Sequence, residues 1–361
     1  MALQRHYLDQ LMLSLFDKEA TYGAGPGGWT GTSACSMLDF EDASAHADWD
    51  DTIQADTDVI TGREFISVQE LVRQSVRLTY TEPRVKPNTL AGLMGLCLGT
   101  VATTQDGTET AYRHKITKAA SVSLPSIGAQ IKYEGGDQRE MRGLKGESWT
   151  LQINGPYLQF SCQMIGSGYR EPATTAFAAK IAENWLRLGD AQFFIKDTAG
   201  TPITVPASPA QGSANLGGGE VNFSTRVRSF SLTWTNNLAA EAGYRASTGL
   251  LRGNFHPVRR TATLSLGFDV DSASEATELA YYLSQAKLAF ELNLNSGLLI
   301  DPDGTFKYGL IVIVPRLQLT RLPRSQQDQF EVLTMEGTVL DDGTNSELIA
   351  YVYNARPTYL A

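Results

Sequence analysis

The sequence predicts a mainly β, α+β fold: two tandem β-sandwich or barrel units, each with one flanking α-helix. Three observations carry this. Apolar and polar residues alternate with period two along most of the chain, as in Trp149, Leu151 and Ile153 against Ser148, Thr150 and Gln152. One short amphipathic helix falls in the corresponding place of each half. The order strands, helix, strands is written twice.

The elements follow in order. Around 7–16, Leu8, Leu11, Met12, Leu15 and Phe16 form a helix-like stripe, and the run Gly23-Ala-Gly-Pro-Gly-Gly28 ends any regular element. Acidic residues then gather, among them Asp48, Asp50, Asp51, Asp56 and Asp58. Residues 1–60 therefore read as an arm with an acidic loop. The first unit, 61–170, opens on strand-like residues at 75–80. A helix over 87–98 follows, with Pro87 at its start, Leu90, Leu93, Met94, Cys97 and Leu98 on one face, and Gly99 to stop it. Strands at 129–133, 148–154 and 157–165 complete the unit.

Residues 171–220 read as an insert. Phe177, Ile181, Trp185 and Leu188 suggest a third helix over 173–188, and the Ala, Ser, Pro and Gly of 206–219 a flexible linker. The second unit, 221–361, repeats the scheme with strands at 227–236 and 261–270 and a helix over 272–285. That helix opens on the capping box Ser272-x-x-Glu275 and sets Ala276, Leu279, Ala280 and Leu283 on one side. Strands at 288–295, 308–320 and 330–340 follow. The run Leu310–Val314 is apolar on both faces, so this strand is expected to be buried on both sides or to lie at an interface.

Composition bounds the function. With 42 % hydrophobic and 19 % charged residues the chain can build a core, so wholesale disorder is not expected. A net charge of −9 argues against a protein that wraps nucleic acid, although an acidic wall suits passive passage of it. The start of the chain lacks the pattern of a secretory signal, and the strands are not expected to form a membrane barrel. Cys35, Cys97 and Cys162 show no metal or redox spacing, and the latter two read as small core residues.

Catalytic, cofactor and metal sites are expected to be absent. Gly23, Gly25 and Gly28 match a dinucleotide fingerprint by letter, but no strand precedes them and no helix follows, so they read as a loop. The acidic run departs from calcium-loop spacing, and His6, His46, His114 and His256 are scattered. The chemistry that remains is that of surfaces. Leu8, Leu11, Leu15 and Phe16 on the arm, and the basic residues Arg316, Arg321 and Arg324, are the candidate contacts with neighbouring subunits.

Three stretches carry a resemblance to a known family: Lys18-Glu-Ala-Thr-Tyr-Gly23, Pro87-Asn-Thr-Leu-Ala-Gly-Leu-Met-Gly-Leu-Cys-Leu-Gly99 and Leu232-Thr-Trp-Thr-Asn-Asn-Leu238. In this order the chain resembles the tail tube proteins (major tail proteins) of bacteriophages with long, non-contractile tails, in a form with two tube domains. The resemblance implies subunits that join inner strands into rings, stacked into a tube in the virion tail and assembled in the host cytoplasm. Three chains would form a pseudo-hexameric ring where one-domain relatives use six. It also implies tape measure, tail terminator and distal tail proteins as partners, viral DNA that passes through without specific binding, no membrane and no cofactor. A related tail component that forms a single ring, and a carbohydrate-binding β-sandwich, are the competing readings.

Overall fold

The computed structural model describes residues 8–29, 36–37, 45–55, 69–177, 185–240, 249, 251, 253–270, 275–327 and 330–361. In the first half the strands are β1 (Leu8–Leu13), β2 (Ser36–Met37), β3 (Ala45–Ala55) and β4 (Gln69–Glu82), then helix α1 (Pro87–Leu98), then β5 (Gly99–Gln105), β6 (Tyr112–Lys118), β7 (Ile127–Tyr133), β8 (Gln138–Asn154), β9 (Tyr157–Gly166) and β10 (Glu171–Pro172). The second half has β11 (Ala191–Asp197), β12 (Val221–Asn222), β13 (Val227–Thr235), β14 (Leu238–Ala240), β15 (Phe255–Pro257) and β16 (Thr261–Asp269), then helix α2 (Glu275–Leu283). It closes with β17 (Lys287–Leu299), β18 (Lys307–Arg321), β19 (Arg324–Gln327), β20 (Phe330–Val339) and β21 (Ile349–Asn354). The mainly β, α+β reading holds.

The halves repeat each other strand by strand. β1 pairs with β7 as β11 pairs with β17, and β3–β4–β9–β8 recurs as β13–β16–β20 followed by the end of β18 and β19. Both long strands bend from one sheet into another: β8 pairs with β7 at its start and β9 at its end, β18 with β21 and then β20. The repeat therefore reaches back to the first described strand.

That strand corrects the helical reading of 7–16. Leu11, Met12, Leu13, Ser14, Leu15 and Phe16 are consecutive and all buried, which a strand and its continuation covered on both faces achieve and a one-sided helix cannot. The linker reading of 206–219 is corrected as well. Tyr351 and Tyr353 donate to the carbonyls of Pro206 and Pro209 (3.1 Å each), Leu216 is fully buried, and Asn215 donates to the carboxylate of Glu291. The segment is clasped onto β17 and β21. Of the expected helix over 173–188, residues 178–184 lie outside the described residues, as does the capping residue Ser272, and neither described end is α-helical: 173–177 are irregular, and Arg187 bridges to Tyr157 just before a short 3-10 turn at Leu188–Asp190.

α1 is buried along its whole length. Pro87 sits at its start, and Gly99 ends it with φ 101°, donating its amide to the Gly95 carbonyl. α2 differs. Its one buried residue is Glu278, paired with Arg226 at 2.8 Å, while Ala276, Leu279, Ala280 and Leu283 are exposed. The stripe expected to face a core therefore faces outward. The double-sided burial of β18 stands as expected: Leu310, Val312 and Val314 enter the main core, and Ile311 and Ile313 a second one with Ile203 and Leu216.

Candidate assembly interface

Where the halves meet, β8 of the first pairs with β13 of the second, Trp149 directly opposite Trp234 and Thr150 opposite Thr233. Both indoles are buried, and the two threonine hydroxyls lie 3.0 Å apart. The pairing fuses the inner strands into one antiparallel run, β3–β4–β9–β8–β13–β16–β20–β19. Asn236 fixes the joint. Fully buried, it donates to the carbonyls of Cys97 (2.7 Å) and Gly146 (2.8 Å) and accepts from the Trp234 indole (3.0 Å).

A second joint pairs β6 with β21, and here His114 is buried. Its Nε2 lies 3.1 Å from Asn354 Oδ1, an acceptor, and its Nδ1 lies 2.9 Å from the Thr103 hydroxyl, which can donate to the neutral ring. Burial lowers its pKa to about 4, against opposing hydrogen bonds from Asn354 and the Arg356 backbone. Asn354 and Tyr359 also reach the first turn of α1, at the carbonyls of Pro87 (3.2 Å) and Asn88 (2.7 Å). The halves are thus bound through two strand pairings and the helix.

The inner run has one face in the core and one open. On the open face stand Thr79, Ser161, Gln163, Thr150, Gln152, Ser231, Thr233, Thr263, Ser265, Thr334 and Thr338, all exposed or half-buried. Hydroxyls and amides dominate it. Exposed Arg77 pairs with Glu147 (3.6 Å) and Arg321 with Glu336 (3.4 Å), and Asp48 and Asp50 are exposed on β3.

Among the described residues, each end of this run presents an unpaired strand edge. At one end is the outer side of β3, with Asp48, Asp50 and Asp51; at the other is the outer side of β19 with Arg324, adjoining Arg321 at the end of β18. Unpaired strand edges are templates for another chain. Two different edges, one at each end of the run, allow head-to-tail pairing between copies.

The candidate contact residues separate on this frame. Leu11, Leu15 and Phe16 are 0–3 % exposed within their own chain, packed in the core around α1, so they are not a free docking surface; Leu8 begins β1 opposite Tyr133. Arg316 donates to the carbonyls of Gly200 (2.9 Å) and Asp341 (3.3 Å) and clasps two loops. Arg321 and Arg324 lie at the edge, where Arg324 pairs with Glu275 of α2 and with Glu331 (2.9 Å). The acidic-loop reading is corrected at Asp48, Asp50 and Asp51, which lie on strand β3, while Asp56 and Asp58 fall outside the described residues; the tryptophan joint has no sequence signal, because strand partners distant along the chain leave no local pattern.

The glycine-rich loop has a structural cause. Glu19, 4 % exposed, accepts hydrogen bonds from the amides of Gly23 (2.9 Å), Gly25 (3.2 Å) and Gly143 (2.9 Å) and from Ser126 (2.7 Å). Gly23 and Gly25 have φ of 78° and 80°, which turns their amides toward this carboxylate. The anion in the glycine loop is the chain's own. Glu109, Asp301 and Asp303 also converge, but Asp301 accepts from the amide (3.1 Å) and hydroxyl (2.7 Å) of Thr110, a clasp between two loops.

No helix among the described residues is long and apolar enough to cross a membrane. A comparison with curated proteins returns no match. The family model for phage tail tube proteins matches residues 13–323, which takes in β3, both helices, the joint between the halves and the end of β18. A duplicated β chain whose inner strands run as one sheet, with this match over most of its length, is a member of the phage tail tube protein family.

Proposed function

We propose that this chain polymerises, three copies to a ring, into the tail tube through which the viral genome is delivered. The observation that supports it is the continuous inner run of strands with a polar open face and, among the described residues, an unpaired strand edge at each end. Joining β3 of one copy to β19 of the next continues the pattern that β8 and β13 already make within one chain. A closed barrel of roughly 24 strands, spaced about 4.8 Å and tilted about 40°, has a backbone diameter of about 48 Å. After side chains are subtracted, this leaves a channel wider than a nucleic-acid duplex.

The open face would line that channel. Its hydroxyls and amides, paired arginines and exposed Asp48 and Asp50 offer no row of cations to hold phosphates, so DNA slides past. Electron microscopy of the purified protein tests the reading. Long hollow tubes are expected; single rings that never stack would indicate a ring-forming tail component instead, and a persistent monomer would refute assembly. The tape measure, terminator and distal tail proteins would then meet the two ends of the tube.

A further inference from the structure

The internal repeat carries a register as well as the fact of edge pairing. The bulge of β8 between Gly146 and Ser148 recurs in β18 between Leu319 and Arg321, and the hairpin Asn154–Tyr157 recurs at Gln327–Phe330. Asn154 lies six residues after Ser148 and Gln327 six after Arg321, so Leu322 stands where Trp149 stands. On the other flank Met164 faces both Gly146 and Leu78, and Gly337 faces both Leu319 and Leu264. Leu264 therefore matches Leu78. The left-handed residues that follow the two helices agree: Gly99 (φ 101°) lies twenty-one residues after Leu78, and Gln285 (φ 55°) twenty-one after Leu264. Leu78 faces Ala47 and Leu264 faces Leu232, so two residues further on Trp49 stands where Trp234 stands.

Trp149 and Trp234 are direct partners across the joint within one chain. We infer that Leu322 of one copy sits directly opposite Trp49 of the next, so that a leucine–tryptophan pair closes the joint between copies where a tryptophan pair closes the joint within one. The inference rests on the assembly reading above and adds its register: Arg321 against Asp50, Arg324 against Ala47 and Ser325 against His46.

Two features independent of the alignment fit this register. The first is burial. Trp149 and Trp234 are 1 % and 2 % exposed, whereas Trp49, Ala47 and Leu322 pack against the main core yet stay half-buried at the two edges. A neighbouring strand in this register closes over all three. The second is Pro323. A proline blunts a sheet edge when the N–H it lacks would have pointed outward. Here the Thr334 amide donates to the Pro323 carbonyl (2.9 Å), so Pro323 turns its backbone toward β20. By alternation along the strand, the open edge is presented by Leu322, Arg324 and Gln326, and its row of donors is unbroken.

Cysteine pairing tests the register in the full chain carrying Cys35→Ser, with Cys97 and Cys162 retained because both are buried. His46, Asp50, Arg321 and Ser325 are all exposed. Opposed strand residues bring Cα atoms to about 4.5–5.5 Å, inside the range a disulfide spans. Asp50→Cys with Arg321→Cys, and separately His46→Cys with Ser325→Cys, are expected to turn most of the chain in assembled rings into covalent trimers under mild oxidation. The crossed pairs, Asp50→Cys with Ser325→Cys and His46→Cys with Arg321→Cys, use the same four positions but lie four residues, about 13 Å, out of register and are expected to give none. Rings that form under reducing conditions and then link through neither matched pair, or through a crossed pair, overturn the register and leave the assembly reading standing. Failure of the parent chain to form rings at all overturns both.

Discussion

Asn236→Ala removes the polar key between the halves. Its side chain is fully buried and makes three hydrogen bonds, so truncation strands the carbonyls of Cys97 and Gly146 and the Trp234 indole N–H. Each buried group left without a partner costs about 1–3 kcal/mol. Relaxation of neighbouring backbone recovers part of this, and a loss of about 3–4 kcal/mol is expected. Asn236→Asp should be worse, because it keeps the acceptor for Trp234 but turns a carboxylate toward two carbonyl oxygens in a site closed to water. The assay is urea unfolding followed by both far-UV circular dichroism and tryptophan fluorescence, Trp149 and Trp234 reporting from the joint itself. Variants within about 0.5 kcal/mol of the parent, in the absence of compensating structural change, would refute the claim that this residue locks the halves.

Three further outcomes follow from the same geometry. The folded-state pKa of His114, near 4, lies below the ordinary value of 6.5, so its contribution to stability is present above pH 6.5 and is lost as pH falls toward 4; it amounts to at most about 3 kcal/mol, and His114→Gln should flatten that part of the stability–pH curve. Gly146→Ala would set a methyl 2.3 Å from Cys97 Sγ and 2.9 Å from its Cα, forcing α1 off β8, and should lower stability by about 1–3 kcal/mol in thermal or urea melts. Deleting residues 1–19 takes Leu11, Leu13, Leu15 and Phe16 out of the core around α1 and should leave an insoluble chain, whereas soluble β-rich protein from this deletion would show that the segment is a dispensable arm.

Much of the fold was legible because period two and the two helices are local signals. α1 is marked by Pro87 and Gly99 and begins and ends where they place it. β1 was misread because Leu8, Leu11, Met12, Leu15 and Phe16 fit a helical stripe, and only the burial of Leu13 and Ser14 between them shows both faces covered. α2 has the right span within a few residues but the wrong inner face, since the partner of Glu278 is Arg226, far back in the chain. The clasp on 206–219 depends on Glu291, whose carboxyl pKa is raised by burial against hydrogen bonds from Asn215 and Asn293. Nothing in a polar, small-residue segment marks such an anchor. Of the assembly surface, Arg321 and Arg324 were legible as a basic cluster, but the acidic strand at the opposite edge read only as a loop.

The rotational symmetry of the assembled tube tests the central claim most directly. Cryo-electron microscopy of tubes grown from the purified chain should show three-fold symmetry, each ring three 39.3 kDa chains whose inner strands alternate the joint of β8 with β13 and the joint of β19 with β3. A ring of six chains, or a ring whose wall leaves β3 or β19 unpaired, would contradict it.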